Sequence, residues 1–108
     1  MTVQRFEDLE VWKNARELCK KIREIVANST LCKDYSIKDQ ILSSSGSVMD
    51  NIAVGFERDG KKEFIQFLYI SKGSLGETRS QVYRSFDAGH ITETKYNELR
   101  NDCLNLSG

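Results

Sequence analysis

The chain has no proline, only three cysteines and a single histidine among its 108 residues. With no proline to break them, long helices are permitted. The polar residues are mostly Lys, Arg, Glu, Gln, Ser and Asn rather than strand-favouring types, so an all-α protein is expected. Cys19, Cys32 and Cys103 are odd in number and lack any Cys-x-x-Cys. That pattern argues against a disulfide framework and a zinc site, and fits reduced thiols in a cytoplasmic protein. No stretch approaches the roughly 20 apolar residues of a membrane span, and the N-terminus lacks the apolar core of a signal peptide. A soluble protein with no membrane role is therefore expected. An excess of either charge is also missing. Sixteen basic residues balance 16 acidic ones to a formal net charge of +0, so any contact with nucleic acid must be local. At this length, residues 1–108 form a single domain with one core.

Apolar periodicity divides the chain into helical segments. The first is expected from about Phe6 to Asn28, with Glu7 and Asp8 suiting its positive end. Its stripe is Val11, Trp12, Ala15, Leu18, Cys19, Ile22, Ile25 and Val26, within an arc of about 140°. Residues 28–34 read as a connection. Ser36 followed by Asp39 resembles a cap opening a second helix that runs to about Phe56. There Ile37, Ile41, Leu42, Ser45, Val48, Met49, Ile52, Ala53 and Phe56 share one side, beside a polar ridge of Gln40, Ser44, Ser47 and Asn51. The charged stretch 57–62 carries Gly60 and reads as a helical-hairpin turn.

A third helix, about Lys62 to Ala88, places Phe64, Phe67, Leu68, Ser71, Leu75, Thr78, Val82 and Phe86 on a core face. A second stripe of Ile65, Tyr69, Gly76 and Tyr83 lies about 100° round, as a second packing surface requires. Gly89 is placed to end this helix, and Thr92 to cap a short fourth helix carrying Tyr96, Leu99, Cys103 and Leu106. Gly55, Gly73 and Gly76 each cost about 1 kcal/mol inside a helix relative to alanine, which close helix–helix approach would explain. The expected fold is an antiparallel up-down-up-down four-helix bundle, since short connections favour antiparallel neighbours.

Several segments together resemble a known family. They are Phe6-x-x-Leu9-x-Val11-Trp12 with Ala15, Gln40, Ser47-Val48-x-x-Asn51-Ile52-Ala53-x-Gly55, Arg58, Phe64-x-x-Phe67-Leu68, Gly73-Ser74-Leu75-x-Glu77 and Gly89-x-Ile91. The chain resembles the bacterial four-helix-bundle proteins encoded in intervening sequences of 23S ribosomal RNA genes. That resemblance implies an up-down-up-down bundle and a ring-like homo-oligomer, a homopentamer in this family. It also implies kinship in fold with the accessory variability determinant of diversity-generating retroelements, a ring that binds a reverse transcriptase and nucleic acid. For most members no activity is established, so the likeness carries the fold further than the function. The chain departs from the family pattern at Ser43, where arginine is usual, at Leu42, often basic, and at Val54, where glutamate is usual. Positions 43 and 54 are three turns apart on one strip. Either a charged partner contact is lost there or a charged subunit seam has become neutral; the second reading is preferred.

Candidate sites follow from residue chemistry. Asn51, with Ser47, Ser74 and Glu77, is read as a helix-packing polar network, because an unpartnered buried amide costs about 1–3 kcal/mol. Glu77 has no second carboxylate, histidine or metal ligand beside it, and Ser43-Ser44-Ser45 have no activating base, so no catalytic or metal site is expected. His90, after Gly89, reads as a turn residue. Arg58, Lys61, Lys62, Lys72, Arg79 and Arg84, with Asp59, Glu63 and Glu77 among them, form a locally basic region suited to phosphate. Arg58 alone matches a basic turn position of the family. The expectation is a non-enzymatic, cofactor-free, self-assembling bundle that binds RNA or a nucleic-acid-processing protein, with no small-molecule substrate evident. The alternative is a scaffolding homo-oligomer whose contacts come from Ser43, Val54, Ile65, Tyr69 and Tyr83.

Overall fold

The computed structural model describes residues 3–58 and 60–107, and every regular element among them is helical. Four helices, α1 (Glu10–Ala27), α2 (Tyr35–Glu57), α3 (Lys61–Asp87) and α4 (Glu93–Ser107), surround one core. Short 3₁₀ turns occupy Phe6–Asp8 and Thr30–Lys33. The α2–α3 seam is the most extensive; α1 packs on α2, α3 on α4, and α4 meets α1 to close the bundle. Asp59, expected in the α2–α3 turn, lies outside the described residues.

The apolar periodicity places the core. Ala15, Leu18, Ile22 and Val26 recur at helical spacing and are no more than 5% exposed. They meet Ile41, Val48 and Ile52 of α2, Leu75 and Val82 of α3, and Leu99 and Cys103 of α4 in one cluster. Leu31 of the second 3₁₀ turn is also buried there. The α1–α2 connection therefore packs inward.

Helix ends follow from capping chemistry. The first helix begins later than expected: residues 6–8 make a 3₁₀ turn, Leu9 is extended, and α1 starts at Glu10. This break folds the Phe6 ring edge-on against Trp12, with centroids 5.2 Å apart. α2 begins one residue before Ser36, because Asp34 and not Ser36 is its cap, accepting from the Ile37 N–H at 3.5 Å. α3 ends as its glycine requires. Gly89 has φ 79°, the Gly89 N–H donates to the Phe86 carbonyl and the His90 N–H to that of Ser85, closing a Schellman motif. Thr92 Oγ1 then accepts from the Lys95 N–H at 3.2 Å and caps α4.

The α2–α3 seam combines a bare backbone with buried hydroxyls. A Cβ on Gly55 would stand 2.6 Å from the Phe67 Cβ, so glycine is required for the approach. Gly73 and Gly76 correct the expectation: a Cβ on either meets nothing within 4 Å, and close packing does not explain them. Farther along, Ser44 is 4% exposed, not on an edge ridge. Its Oγ lies 2.8 Å from Thr78 Oγ1 and donates to Gln81 Oε1 at 2.6 Å. Ser71 Oγ donates to the Val48 carbonyl at 2.8 Å. No buried side-chain polar atom among the described residues lacks a partner.

Gly55→Ala is expected to lower stability by about 1–3 kcal/mol, because the Phe67 Cβ is fixed to backbone and cannot swing aside. Gly73→Ala, in open space on the exposed side of α3, should raise it by about 0.5–1 kcal/mol. Chemical denaturation of the two variants checks both signs.

Candidate functional site

The exterior of α3 collects most of the candidate binding groups. At 100° per residue, Lys61, Lys72 and Arg79 fall within about 20° of one another along a helix about 40 Å long. Lys62, Ile65, Tyr69, Gly76 and Tyr83 lie beside that line, and all but the half-buried Arg79 are exposed. Glu63 and Glu77 point about 120° or more away from the strip's centre. Lys61, Lys62, Lys72 and Arg79 form no ion pair among the described residues. From Lys61 to Tyr83 this strip carries cations and aromatic rings without an acid.

Neighbouring helices reinforce that arrangement. Arg100 of α4 donates through Nε to the Tyr83 hydroxyl at 3.0 Å, and this hydrogen bond holds the Tyr83 phenol below its ordinary pKa. The Tyr83 ring meets Tyr96 edge-on at 5.3 Å. Two acids of α4 turn elsewhere: Lys21 of α1 reaches Asp102 at 2.9 Å and Glu98 at 3.4 Å. Arg100 was not among the sequence candidates. Only the pairing of α3 with α4 brings it to Tyr83, and no periodicity within one helix reports that pairing.

The other members of the basic set stand apart. Arg58 faces Glu63 at 3.7 Å and lies over the Phe67 ring at 5.2 Å. Arg84, near the opposite end of α3, donates to Gln40 Oε1 at 2.6 Å. The six cations therefore split into a line of three with Lys62 beside it, and two residues with partners of their own.

The polar network also divides. Asn51 Nδ2 donates to the carbonyl and hydroxyl of Ser47, each at 2.9 Å, and Ser74 Oγ donates to Ser47 Oγ at 3.2 Å. Glu77 is exposed and joins none of these bonds. Among the residues assigned to subunit contacts, Ser43 and Val54 are exposed on α2, and Ile65 and Tyr69 on α3. Tyr83 already has partners within the chain. Ile65, Tyr69 and Lys72 border an apolar cleft of ≈ 330 Å³ floored by Val48, Ile52 and Leu75.

One cluster escaped the sequence reading. His90 places Nε2 2.9 Å from Asp34 Oδ2 and Nδ1 2.8 Å from Thr30 Oγ1. The two connections at that end of the bundle are thereby tied, and the hydrogen bond from His90 holds the Asp34 carboxyl below the ordinary range. His90 is thus a latch, which the bare turn position did not reveal. Burial pushes Cys103 up to about 11, and it also raises Cys19, whose thiol donates to the Ser45 carbonyl. Both are protonated near neutrality. Among the described residues no three His, Cys, Asp or Glu side chains gather to hold a metal, and no helix is long and apolar enough to cross a membrane.

Comparison with known proteins settles the kinship. Residues 7–108 match the family of 23S rRNA-intervening sequence proteins. The chain belongs to that family. A solved structure similar to it is a protein of unknown function from the S23 ribosomal protein family of Bacteroides thetaiotaomicron. The TM-score is 0.80 at 23% identity, covering 90% of this chain and 91% of that one, and it shows a shared fold. No curated protein matches. The family segments now have physical roles: Phe6 and Trp12 form an aromatic pair, Gly55 admits Phe67, Ser47 and Ser74 bond across the seam, and Gly89 ends α3.

The latch predicts an acid-sensitive step. Because the folded-state pKa of Asp34 is depressed, its contribution is complete above the unfolded value, about 4, and is lost as pH falls through the folded value. Thermal melts from pH 6 to pH 2 should show part of the acid destabilisation vanish in Asp34→Asn, which keeps the cap oxygen. An unchanged acid limb in that variant would contradict the latch.

Proposed function

We propose that this member of the 23S rRNA-intervening sequence family is a non-enzymatic bundle that binds nucleic acid through phosphate contacts along α3. The observation that carries the reading is the acid-free line of Lys61, Lys72 and Arg79, with Lys62 beside it and Arg100 at its edge, on a chain of net charge +0. A neutral molecule has no general attraction for phosphate, so a local concentration of cations with no ion pair among the described residues supplies it. Up-down-up-down topology and a ring of five, implied by the family likeness, would repeat that line around the symmetry axis. The kinship with the retroelement accessory protein rests on the sequence resemblance alone and adds a nucleic-acid-processing protein as a partner class.

A second reading is a scaffolding homo-oligomer. What favours it is the apolar cleft beside Ile65 and Tyr69, which are 43% and 71% exposed. A subunit seated there would cover apolar surface that a monomer leaves wet.

Titration of a structured ribosomal RNA fragment at increasing salt tests the first reading. Binding that weakens steeply with salt is expected, with a log–log slope reduced by about one for each of Lys72→Gln and Arg79→Gln. Absence of binding at low salt would remove it. Native mass of a Tyr69→Ser, Tyr83→Ser double variant tests the second: a fall to monomer supports the seam, and a retained oligomer contradicts it.

A further inference from the structure

We infer that the nucleic acid taken by α3 is single-stranded, its unpaired bases stacking on Tyr69 and Tyr83 while its phosphates follow the cation line. This rests on the phosphate-binding reading above and names the kind of strand.

The cations run in one file. Lys61, Lys72 and Arg79 share a narrow arc of one helix, which suits a single run of phosphates; the two phosphate lines flanking a major groove are about 12 Å apart. The aromatic rings point the same way. Tyr69 is 71% exposed, far more than a tyrosine needs to satisfy its hydroxyl, and its ring borders the strip beside Lys72. Tyr83 is 40% exposed, and Arg100 and Tyr96 fix its ring in place. A held ring loses little freedom when a base stacks on it. Paired bases are stacked inside a duplex and cannot reach either ring, whereas every unpaired base offers a face.

The spacing also fits. Tyr69 and Tyr83 are fourteen residues apart, about 21 Å along the helix. A stacked strand advances about 3.4 Å per nucleotide, so about six nucleotides bridge the two rings. Between them Gly76 contributes no side chain, and a Cβ there would meet nothing within 4 Å. The backbone thus forms a low saddle between the two aromatic posts. The glycine that close packing left unexplained acquires a role as a clearance for the strand.

The experiment compares fluorescein-labelled twelve-nucleotide strands, U12 and dT12, with a twelve-base-pair duplex by anisotropy at 25, 50, 100 and 200 mM salt. Either single strand is expected to bind at least tenfold more tightly than the duplex. Tyr69→Ser should weaken single-strand binding about fivefold or more, the low end of what one lost base stack costs, without changing the salt slope. Tyr69→Phe should retain it. Lys72→Gln should flatten the slope instead. Equal affinity for duplex and single strand, or a neutral Tyr69→Ser, would overturn the single-strand assignment while leaving the phosphate reading intact. No salt-dependent binding of any probe would overturn both. Tyr69 and Lys72 are exposed, so these variants retain the fold, and a circular dichroism melt verifies it.

Discussion

The contact between Gly55 of α2 and the Phe67 Cβ of α3 sets the arrangement on which the rest of the bundle depends. A side chain at Gly55 would meet that atom at 2.6 Å, so α2 presents bare backbone to the phenylalanines of α3. Such proximity brings Ser71 Oγ to the Val48 carbonyl and Ser44 to Thr78 and Gln81. Each of these buried groups would cost about 1–3 kcal/mol unpartnered, so the seam tolerates only one register. A one-residue rotation of α3 turns it by about 100° and breaks them together. Fixing the inner face of α3 also fixes which residues look outward.

That outward face gives the molecule its asymmetry. The chain is neutral as a whole, yet α3 sends Glu63 and Glu77 away from Lys61, Lys72 and Arg79, and α4 commits Glu98 and Asp102 to Lys21 of α1. Along this face the charges are segregated, whereas on α1 Lys13 and Lys20 each pair with a glutamate one turn away. On α2, Ser43 and Val54 leave an exposed strip where relatives are expected to carry charge. The cationic line lies on α3 and does not depend on the charge of that strip.

Much of the fold was legible in the residues. Period-3.6 apolar spacing fixed the core of α1 and α4, Gly89 and Thr92 marked the α3–α4 turn, and Gly55 announced a close crossing. What escaped were features made by two helices at once. Ser44 reads as an edge residue on α2 alone and is buried because α3 brings Thr78 and Gln81 to it. The network around Asn51 crosses the seam only through Ser74, whose hydroxyl meets Ser47, while Glu77 is exposed. Tyr83 read as a free apolar contact until Arg100 and Tyr96 of α4 closed on it, and His90 read as a bare turn until Asp34 and Thr30 met it. Single-helix periodicity gives the direction of a side chain; it does not give its neighbour across a seam.

The most direct measurement is lysine footprinting: acetylation of the folded protein with and without single-stranded oligonucleotide at low salt, read by mass spectrometry residue by residue. Lys61, Lys62 and Lys72 share the α3 exterior, whereas Lys13 and Lys20 are exposed on α1, each beside a glutamate. The oligonucleotide is expected to shield the three α3 lysines and to leave the two on α1 as reactive as before. Equal shielding on both helices, or shielding confined to α1, would contradict that expectation.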